Sequence, residues 1–388
     1  MADRDSRKGS MAEHLLIVGA SSRAAAFSAL RAGLTVSAAD LFADADLARV
    51  CRVAVVDPFP NGFRGVLRTT AEADAWLYTG GLENQPSLID SMAAQRPLHG
   101  NRGAALLEIR SPTWLAPILR QGGFHVPRWQ PSPAGLPQDG SWLRKRRSGS
   151  GGFHVRRFFG DLADQPRESD WYFQQFVPGM PASAVYVALA DGCRLLGATE
   201  SWLAPQDGAT PPFAYAGSIG PLPLSDKLKR QLVRLGETLA SAAGLIGLFG
   251  VDFVIRQGEP WPIEVNPRYP ASAEVLESAL GISAIALHVA ACRGRQLPET
   301  PRLPKPGWCA KRIVYATQTV RIKPWHTSEM LAHCGPLESP RWADIPQPGT
   351  TIQPGSPVAT VFARGDWRVA VEEEIEHQAR RLGKLLSE

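Results

Sequence analysis

Two short segments, Gly250-Val-Asp252-Phe-Val-Ile and Trp261-Pro-Ile-Glu264-Val-Asn266-Pro-Arg268, carry residue types whose spacing suits chemistry. Residues two apart in a strand face the same way, so Glu264 and Asn266 project together from one face. Asp252, on the neighbouring strand of a hairpin turning at Gln257-Gly258, can join them. Two carboxylates and an amide oxygen form a hard oxygen set suited to Mg²⁺, with Mn²⁺ the alternative, and such a cation also binds phosphates. Arg268 then neutralises a phosphoryl group in flight. A surface hairpin with exposed acids is the plainer reading. Against it stand Val251, Phe253, Ile263 and Val265, which speak for burial, where acids without a partner are costly.

Two further features gain value from standing ahead of this hairpin. In Trp142-Leu-Arg-Lys145-Arg-Arg-Ser-Gly149-Ser150-Gly151-Gly152 a strand ends in a lysine and runs into a loop of serine and glycine. Glycines let backbone N–H groups approach phosphate oxygens closely, and the lysine adds a point charge. In Tyr172-Phe-Gln174-Gln175-Phe176-Val177-Pro-Gly179 an extended segment ends in a turn and can offer backbone groups to the edge of a planar base. Taken alone, the first is as readily a linker and the second an ordinary strand.

The elements that must position these residues alternate in kind along the chain. His14-Leu-Leu-Ile-Val-Gly19 has the apolar run of a buried parallel strand, and Arg23 to Arg31 follows as a helix that Ser21 or Ser22 can cap and Gly33 can stop. Strands at Leu34 to Ala39, Arg52 to Asp57 and Ala75 to Tyr78 complete a parallel sheet. Gly19 with Asp40 resembles a dinucleotide fingerprint, but Gly19-Ala-Ser-Ser-Arg-Ala lacks the later glycines, so NAD is disfavoured. Beyond the Pro127 to Ser141 joint, closely spaced strands predict an antiparallel sheet: Trp142 to Arg144, Tyr172 to Val177, Ala184 to Ala190 and Arg194 to Ser201. Leu228, Leu232, Leu235 and Leu239 mark one face of a helix from Ser225 to Ala243, with Gly244 at its end. Residues 301–365 are proline-rich with short strands, and Arg368 to Leu386 closes the chain as a charged helix.

The totals narrow the classes. A chain of 388 residues is too long for one compact core, and 44% hydrophobic with 20% charged residues is an ordinary globular composition. No run approaches the roughly 18–20 apolar residues of a membrane span, and the start, polar up to about Met11, lacks a signal-like core. Five scattered cysteines form no CxxC pair, which fits a reducing cytoplasm. The net charge of +5 gathers at Arg144, Lys145, Arg146, Arg147, Arg156 and Arg157. Such a cluster suits nucleic acid, a solvated rim or a triphosphate; the neighbouring glycines favour the triphosphate.

In this order, the lysine–glycine loop, the Gln-Gln-Phe-Val strand and Val-Asp-Phe…Ile-Glu-Val-Asn-Pro-Arg resemble the ATP-grasp superfamily, most of all its biotin-carboxylase-like and purine-biosynthesis carboxylase-like branch. The resemblance spans residues 11–300 and implies a mixed α/β and α+β fold. A tail (1–10) precedes a Rossmann-like domain (11–98), an ATP-grasp domain (99–300, its lid about 140–190) and a small β-rich C-terminal domain with a terminal helix (301–388). It further implies ATP and Mg²⁺ as cofactors. Lys145 would meet the α- and β-phosphates under the Gly149-Ser150-Gly151-Gly152 loop, and Gln174, Gln175, Phe176 and Val177 would form the adenine hinge. Asp252, Glu264 and Asn266 would surround the metal, and Arg268 would face the transferred phosphate. The segment Asp344-Ile-Pro…Gly349…Ile352…Gly355-Ser-Pro-Val358…Thr360-Val-Phe-Ala is similar to the tail of carboligase-like ATP-grasp proteins associated with tetrahydromethanopterin-dependent one-carbon metabolism.

Some positions depart from the pattern. Gln174 stands where an acid is common, and Met180-Pro-Ala-Ser183 replaces a segment with a ribose-contacting glutamate. An earlier phosphate-binding lysine has no counterpart, Arg102 being the stand-in. Tyr269-Pro-Ala-Ser272-Ala-Glu274 lacks the glutamate that follows the arginine in biotin carboxylases, so bicarbonate handling is not supported.

The expected reaction is ligation of a small-molecule carboxylate, activated as an acyl phosphate, to an amine with release of ADP. Lys145 and Arg268 are the expected catalytic groups. Strand-end placement nominates Ser21, Ser22, Arg23, Glu83 and Asn84 as substrate contacts, and Lys311 and Arg312 are the candidates from the C-terminal region. The branch also suggests a homodimer, without nucleic-acid or membrane partners. The competing readings are a bicarbonate-dependent carboxylase and a nucleotide- or RNA-binding protein using the basic cluster.

Overall fold

Leu15 to Val18, none of them exposed, form the centre of a parallel sheet because continuous apolar runs are stable only where both faces are covered. The structure, a computed structural model, describes residues 13–160, 170–204, 209–298 and 307–388. The tail at 1–10 and the boundary expected at 300/301 lie outside these residues. Strands β1 (His14–Val18), β2 (Thr35–Asp40), β3 (Arg52–Val55) and β4 (Ala75–Tyr78) pair in the order β3-β2-β1-β4. Gly19 is explained by packing: a Cβ there would stand 1.9 Å from Thr79 Oγ1, so the ends of β1 and β4 meet only across a glycine.

A small antiparallel sheet follows: β5 (Trp129–Gln130), β6 (Trp142–Arg146), β7 (Val155–Arg157) and β8 (Trp171–Gln175), ordered β5-β8-β6-β7. The remaining strands are β9 (Met180–Leu189), β10 (Gly192–Leu203), β11 (Tyr215–Gly220), β12 (Gly247–Arg256), β13 (Glu259–Asn266), β14 (Trp308–Tyr315), β15 (Val320–Arg321), β16 (Trp342–Ala343), β17 (Thr351–Ile352) and β18 (Pro357–Gly365). Eight of them form one sheet, β13-β12-β9-β10-β11-β14-β18-β16, while β15 and β17 pair apart.

Three of the C-terminal strands, β14, β16 and β18, therefore continue the central sheet, and β15 and β17 form a small sheet of their own. Gly217 explains the join: a Cβ on it would stand 2.2 Å from Lys311 O, so β11 accepts β14 at this approach only without a side chain. Pairing there also covers an edge that would otherwise leave unpaired N–H and C=O groups.

Helix Asp226–Ala243 packs Leu228, Leu232, Leu235 and Leu239 against this sheet, each burial contributing about 1.5–3 kcal/mol. Ser225 Oγ accepts from the Leu228 N–H at its start, and Gly244, at φ 59°, ends it in the left-handed region. No single helix among the described residues is long and apolar enough to cross a membrane.

Candidate functional site

The β12–β13 hairpin sets the centre of the site. Its register places Asp252 opposite Glu264 and Gly250 opposite Asn266, so the two acids are cross-strand neighbours. Phe253 then pairs with Pro262, which leaves Ile263 as an extra residue in a bulge. The bulge turns the Ile263 carbonyl toward Lys145, whose Nζ lies 3.4 Å from it. Lys145 also donates to Gln174 Oε1 at 3.2 Å. Burial pulls its ammonium down, yet Tyr172, Glu264 and Asp252 together hold it above its ordinary value.

Asp252 is pushed up to about 6, first by burial and then by Glu264, against hydrogen bonds from Ser183 and Asn266. The Asn266 amide is fully oriented: its nitrogen donates to Asp252 Oδ2 at 2.9 Å, and its oxygen accepts from Arg268 Nη2 at 3.0 Å. Asn266 therefore offers a cation one remaining lone pair, while Asp252 and Glu264 offer charge. Among the described residues no group of three or more Asp, Glu, His or Cys that could hold a metal ion gathers, and this site brings two acids together, Asp252 and Glu264. The donor set fits Mg²⁺ chemically, because a divalent cation between two crowded carboxylates removes the repulsion that raises Asp252.

Lys145, Gly149, Ser150, Gly152, Gln174 and Glu264 line one cleft, together with Arg110, Arg146 and Ile263 and an apolar wall of Ile109, Leu115 and Leu119. The glycine loop is docked. Gly151 O accepts from the Tyr215 N–H at 3.0 Å, and a Cβ on Gly152 (φ 76°) would stand 1.8 Å from Phe213 O. The rest of the hinge faces elsewhere. The N–H groups of Gln175 and Phe176 are taken by the Arg128 and Ser141 carbonyls, and the Gln175 side chain accepts from Arg128. The Phe176 ring lies under Arg157, at 3.7 Å, and Val177 is buried. Of the expected base-binding segment, the cleft receives Gln174.

Arg268 is nearly buried and holds Glu83 through Nε (3.1 Å) and Nη2 (3.0 Å). Glu83, drawn down by Arg268 and Arg110 in spite of complete burial, is a partner of the site arginines rather than an open contact. Ser22 and Arg23 are likewise spent inside. Ser22 Oγ donates to Asp40 at 2.6 Å, and Arg23 pairs with Glu274 and, at 2.8 Å, with Asp344. Both stand at the end of the first strand, but Ser22 is buried on Asp40, and Arg23 is taken by Glu274 of the helix Ala273–Leu280 and by Asp344. Ser21 is exposed and Asn84 half-buried. Lys311 is buried against Glu274 at 3.3 Å, and Arg312 pairs with Glu376.

Arg102 is exposed and outside the cleft lining, whereas Arg110 lines the cleft and donates to Gly149 O at 3.1 Å. Sequence reasoning passed over Arg110 because nothing in its local spacing marks it.

The ATP-grasp domain family matches residues 114–272. The formate-dependent phosphoribosylglycinamide formyltransferase of Syntrophotalea carbinolica is 33% identical over 102 residues, 26% of this chain and 25% of that protein. The match thus spans about a quarter of that relative's length. The fold is similar to the crystal structure of N5-carboxyaminoimidazole ribonucleotide synthetase from Thermus thermophilus, with TM-score 0.68, 18% identity and coverage of 96% and 99% of the two chains. It is also similar to an L-amino acid ligase from Bacillus licheniformis, with TM-score 0.66, 16% identity and coverage of 94% and 96%. Residues 114–272 thus match the ATP-grasp domain, and the fold is similar to those of biotin carboxylase and N5-carboxyaminoimidazole ribonucleotide synthetase.

Proposed function

We propose that this protein is an ATP-dependent, ADP-forming ligase that joins a small-molecule carboxylate to an amine. One observation carries the reading most directly: Glu264 lines the cleft that also holds Lys145 and the glycine loop, and Asp252 is paired with it across the hairpin. Asp252 and Glu264, with the free lone pair of Asn266, would hold Mg²⁺, which supplies neutralisation of phosphate charge when bound. Lys145, Arg110 and the Gly149 to Gly152 loop hold the triphosphate in this reading. The carboxylate oxygen of the acid attacks the γ-phosphorus, the bond to the bridging β–γ oxygen breaks, and ADP leaves. Arg268 balances the charge on the phosphoryl oxygens in transit. The amine nitrogen then attacks the acyl carbon, phosphate departs, and loss of the amine proton leaves an amide.

The name of the Syntrophotalea relative specifies formate, which makes formate the first acid to test and keeps one-carbon metabolism as the proposed setting. A bicarbonate-using variant of the reaction is the second reading, favoured by the likeness to the carboxyaminoimidazole ribonucleotide synthetase fold.

Calorimetry with Mg·ATP on wild type and Glu264→Ala tests the site, followed by ADP release in a matrix of acids, amines and bicarbonate. Tight binding that needs Mg²⁺ and falls at least tenfold in the variant is expected. Equal binding by both proteins removes Glu264 from the metal set. Turnover with bicarbonate but no other acid selects the carboxylase.

A further inference from the structure

Glu83 is where the N-terminal layer, the cleft wall and the β13 end meet. Its side chain is fully buried: Oε1 accepts from Arg268 Nε at 3.1 Å and lies in ion-pair range of Arg268 Nη2 (3.0 Å) and Arg110 Nη1 (3.3 Å), while Arg110 Nη1 and Glu83 Oε2 make no hydrogen bond. Arg110 reaches the other way, to the carbonyl of Gly149, the first glycine of the loop. Arg268 in turn orients Asn266, and Asn266 donates to Asp252. An unbroken line of polar contacts therefore runs Gly149–Arg110–Glu83–Arg268–Asn266–Asp252. Both guanidiniums are nearly buried, each side chain 11% exposed, and two cations share one carboxylate. Buried ion pairs of this kind contribute little net stability after desolvation, so stability alone accounts poorly for the arrangement. What it does supply is fixed geometry between the cleft wall at Arg110 and Gly149 and the acids and amide of the β12–β13 hairpin.

We infer that Glu83 is a positioning residue that makes seating of the glycine loop and orientation of Arg268 one coupled event. Arg110 carries the loop's position to Glu83, and Glu83 carries it to Arg268. This inference rests on the ligase reading, because it needs a triphosphate under the loop. An anion there draws on Arg110, and any shift of Arg110 changes what Glu83 has left for Arg268. A site so linked aligns Arg268 when the loop is loaded and leaves it less well placed otherwise.

Arg146, Arg147 and Arg156 flank the loop, so trypsin cutting there reports its closure. The measured quantity is the ratio of cutting rates without and with saturating Mg·AMP-PNP, with binding followed separately by calorimetry. Glu83→Gln is expected to keep calorimetric binding within about threefold while losing at least fivefold in the protection ratio. Arg110→Lys, too short to span Glu83 and Gly149, should lose a similar factor, and the double variant no more than either single. Arg268→Lys makes the sharpest test, because Arg268 has no contact with the loop, and its ratio should fall as well.

An unchanged ratio in Arg268→Lys, or losses that multiply in the double variant, overturns the coupling while leaving the ligase reading intact. A wild type that binds no Mg·AMP-PNP and no Mg·ATP overturns both. Should Glu83→Gln fail to fold, Arg110→Lys and Arg268→Lys decide the question by the same ratio.

Discussion

Asp252 sits where the fold does not favour its charge. Burial and the neighbouring Glu264 raise it to about 6, so at neutral pH the ionised form is held at a cost to the folded state. A position that lowers stability in this way is best explained by a ligand that needs the charge. Asp252→Asn keeps the shape and an acceptor for the Asn266 amide, and it removes the repulsion. The variant is expected to melt higher than wild type, by the equivalent of roughly 1–3 kcal/mol, while Mg·ATP binding weakens at least tenfold. Calorimetry and a thermal melt at pH 7.5 check both halves. Retained binding would remove Asp252 from the metal set. A lowered melting temperature would mean that its hydrogen bonds with Ser183 and Asn266 outweigh the repulsion.

The glycine loop and the hairpin each depend on one backbone device. In the loop the device is Gly152, at φ 76° with Phe213 O directly in the path of a Cβ. Gly152→Ala must move the loop off residues 213–215, and the expected result is about tenfold weaker Mg·ATP binding with only ~1–2 kcal/mol lost in stability. Binding unchanged within twofold would show that the loop's docking has no bearing on the nucleotide. Elements of this local kind were legible in the sequence. The helix Asp226–Ala243 was readable down to its Ser225 cap and Gly244 stop, because period, cap and terminator all lie within one window. The four parallel strands and the β12–β13 hairpin were readable for the same reason. Contacts between distant segments were not. Glu83 meets Arg268 across 185 residues of chain, and both are polar residues whose burial no local pattern announces. Strand β14 joins β11 through Gly217, a glycine that resembles any other in the sequence, so this pairing was not legible there. At the segment expected to bind a base, the carbonyls of Arg128 and Ser141 take the N–H groups of Gln175 and Phe176, which no local pattern in the sequence shows.

At the scale of the whole molecule, the C-terminal segment is tied to the N-terminal layer by charges as well as by the sheet. Arg23 joins Glu274 and Asp344, Lys311 joins Glu274, and Asp46 accepts the backbone N–H groups of Asp344 (3.1 Å) and Ile345 (3.0 Å). Burial raises Asp46 from 3.8 to about 6, with Asp344 adding to the rise and Arg23 and the Ile345 N–H opposing it. Above about pH 6 the carboxylate is ionised in folded and unfolded chains alike, and the folded state bears the full cost. Between about 6 and 4 the folded chain takes up a proton that the unfolded chain does not, so stability rises as pH falls through this window. The slope for one such group is at most ~1.4 kcal/mol per pH unit. Asp44, raised well above its ordinary value by burial and by Asp344, acts in the same direction. Glu274 and Asp344 are held low, chiefly by Arg23 against burial, and they work against acid stability only when pH falls below the ordinary carboxylate range. His288, buried and lowered from 6.5 to about 4, opposes this gain, because between those values the unfolded chain takes up a proton that the folded chain does not. The contribution of Asp46 is therefore the part of the urea-midpoint difference between pH 5 and pH 7.5 that Asp46 itself carries. Asp46→Asn should remove that part mainly by strengthening the protein at pH 7.5, where the buried charge is gone. Urea midpoints of both proteins at the two pH values decide it. Parallel behaviour of variant and wild type would mean that the Asp344 and Ile345 N–H groups hold Asp46 ionised in the fold, and the junction between the two ends of the chain would then be anchored by a charge rather than by a proton.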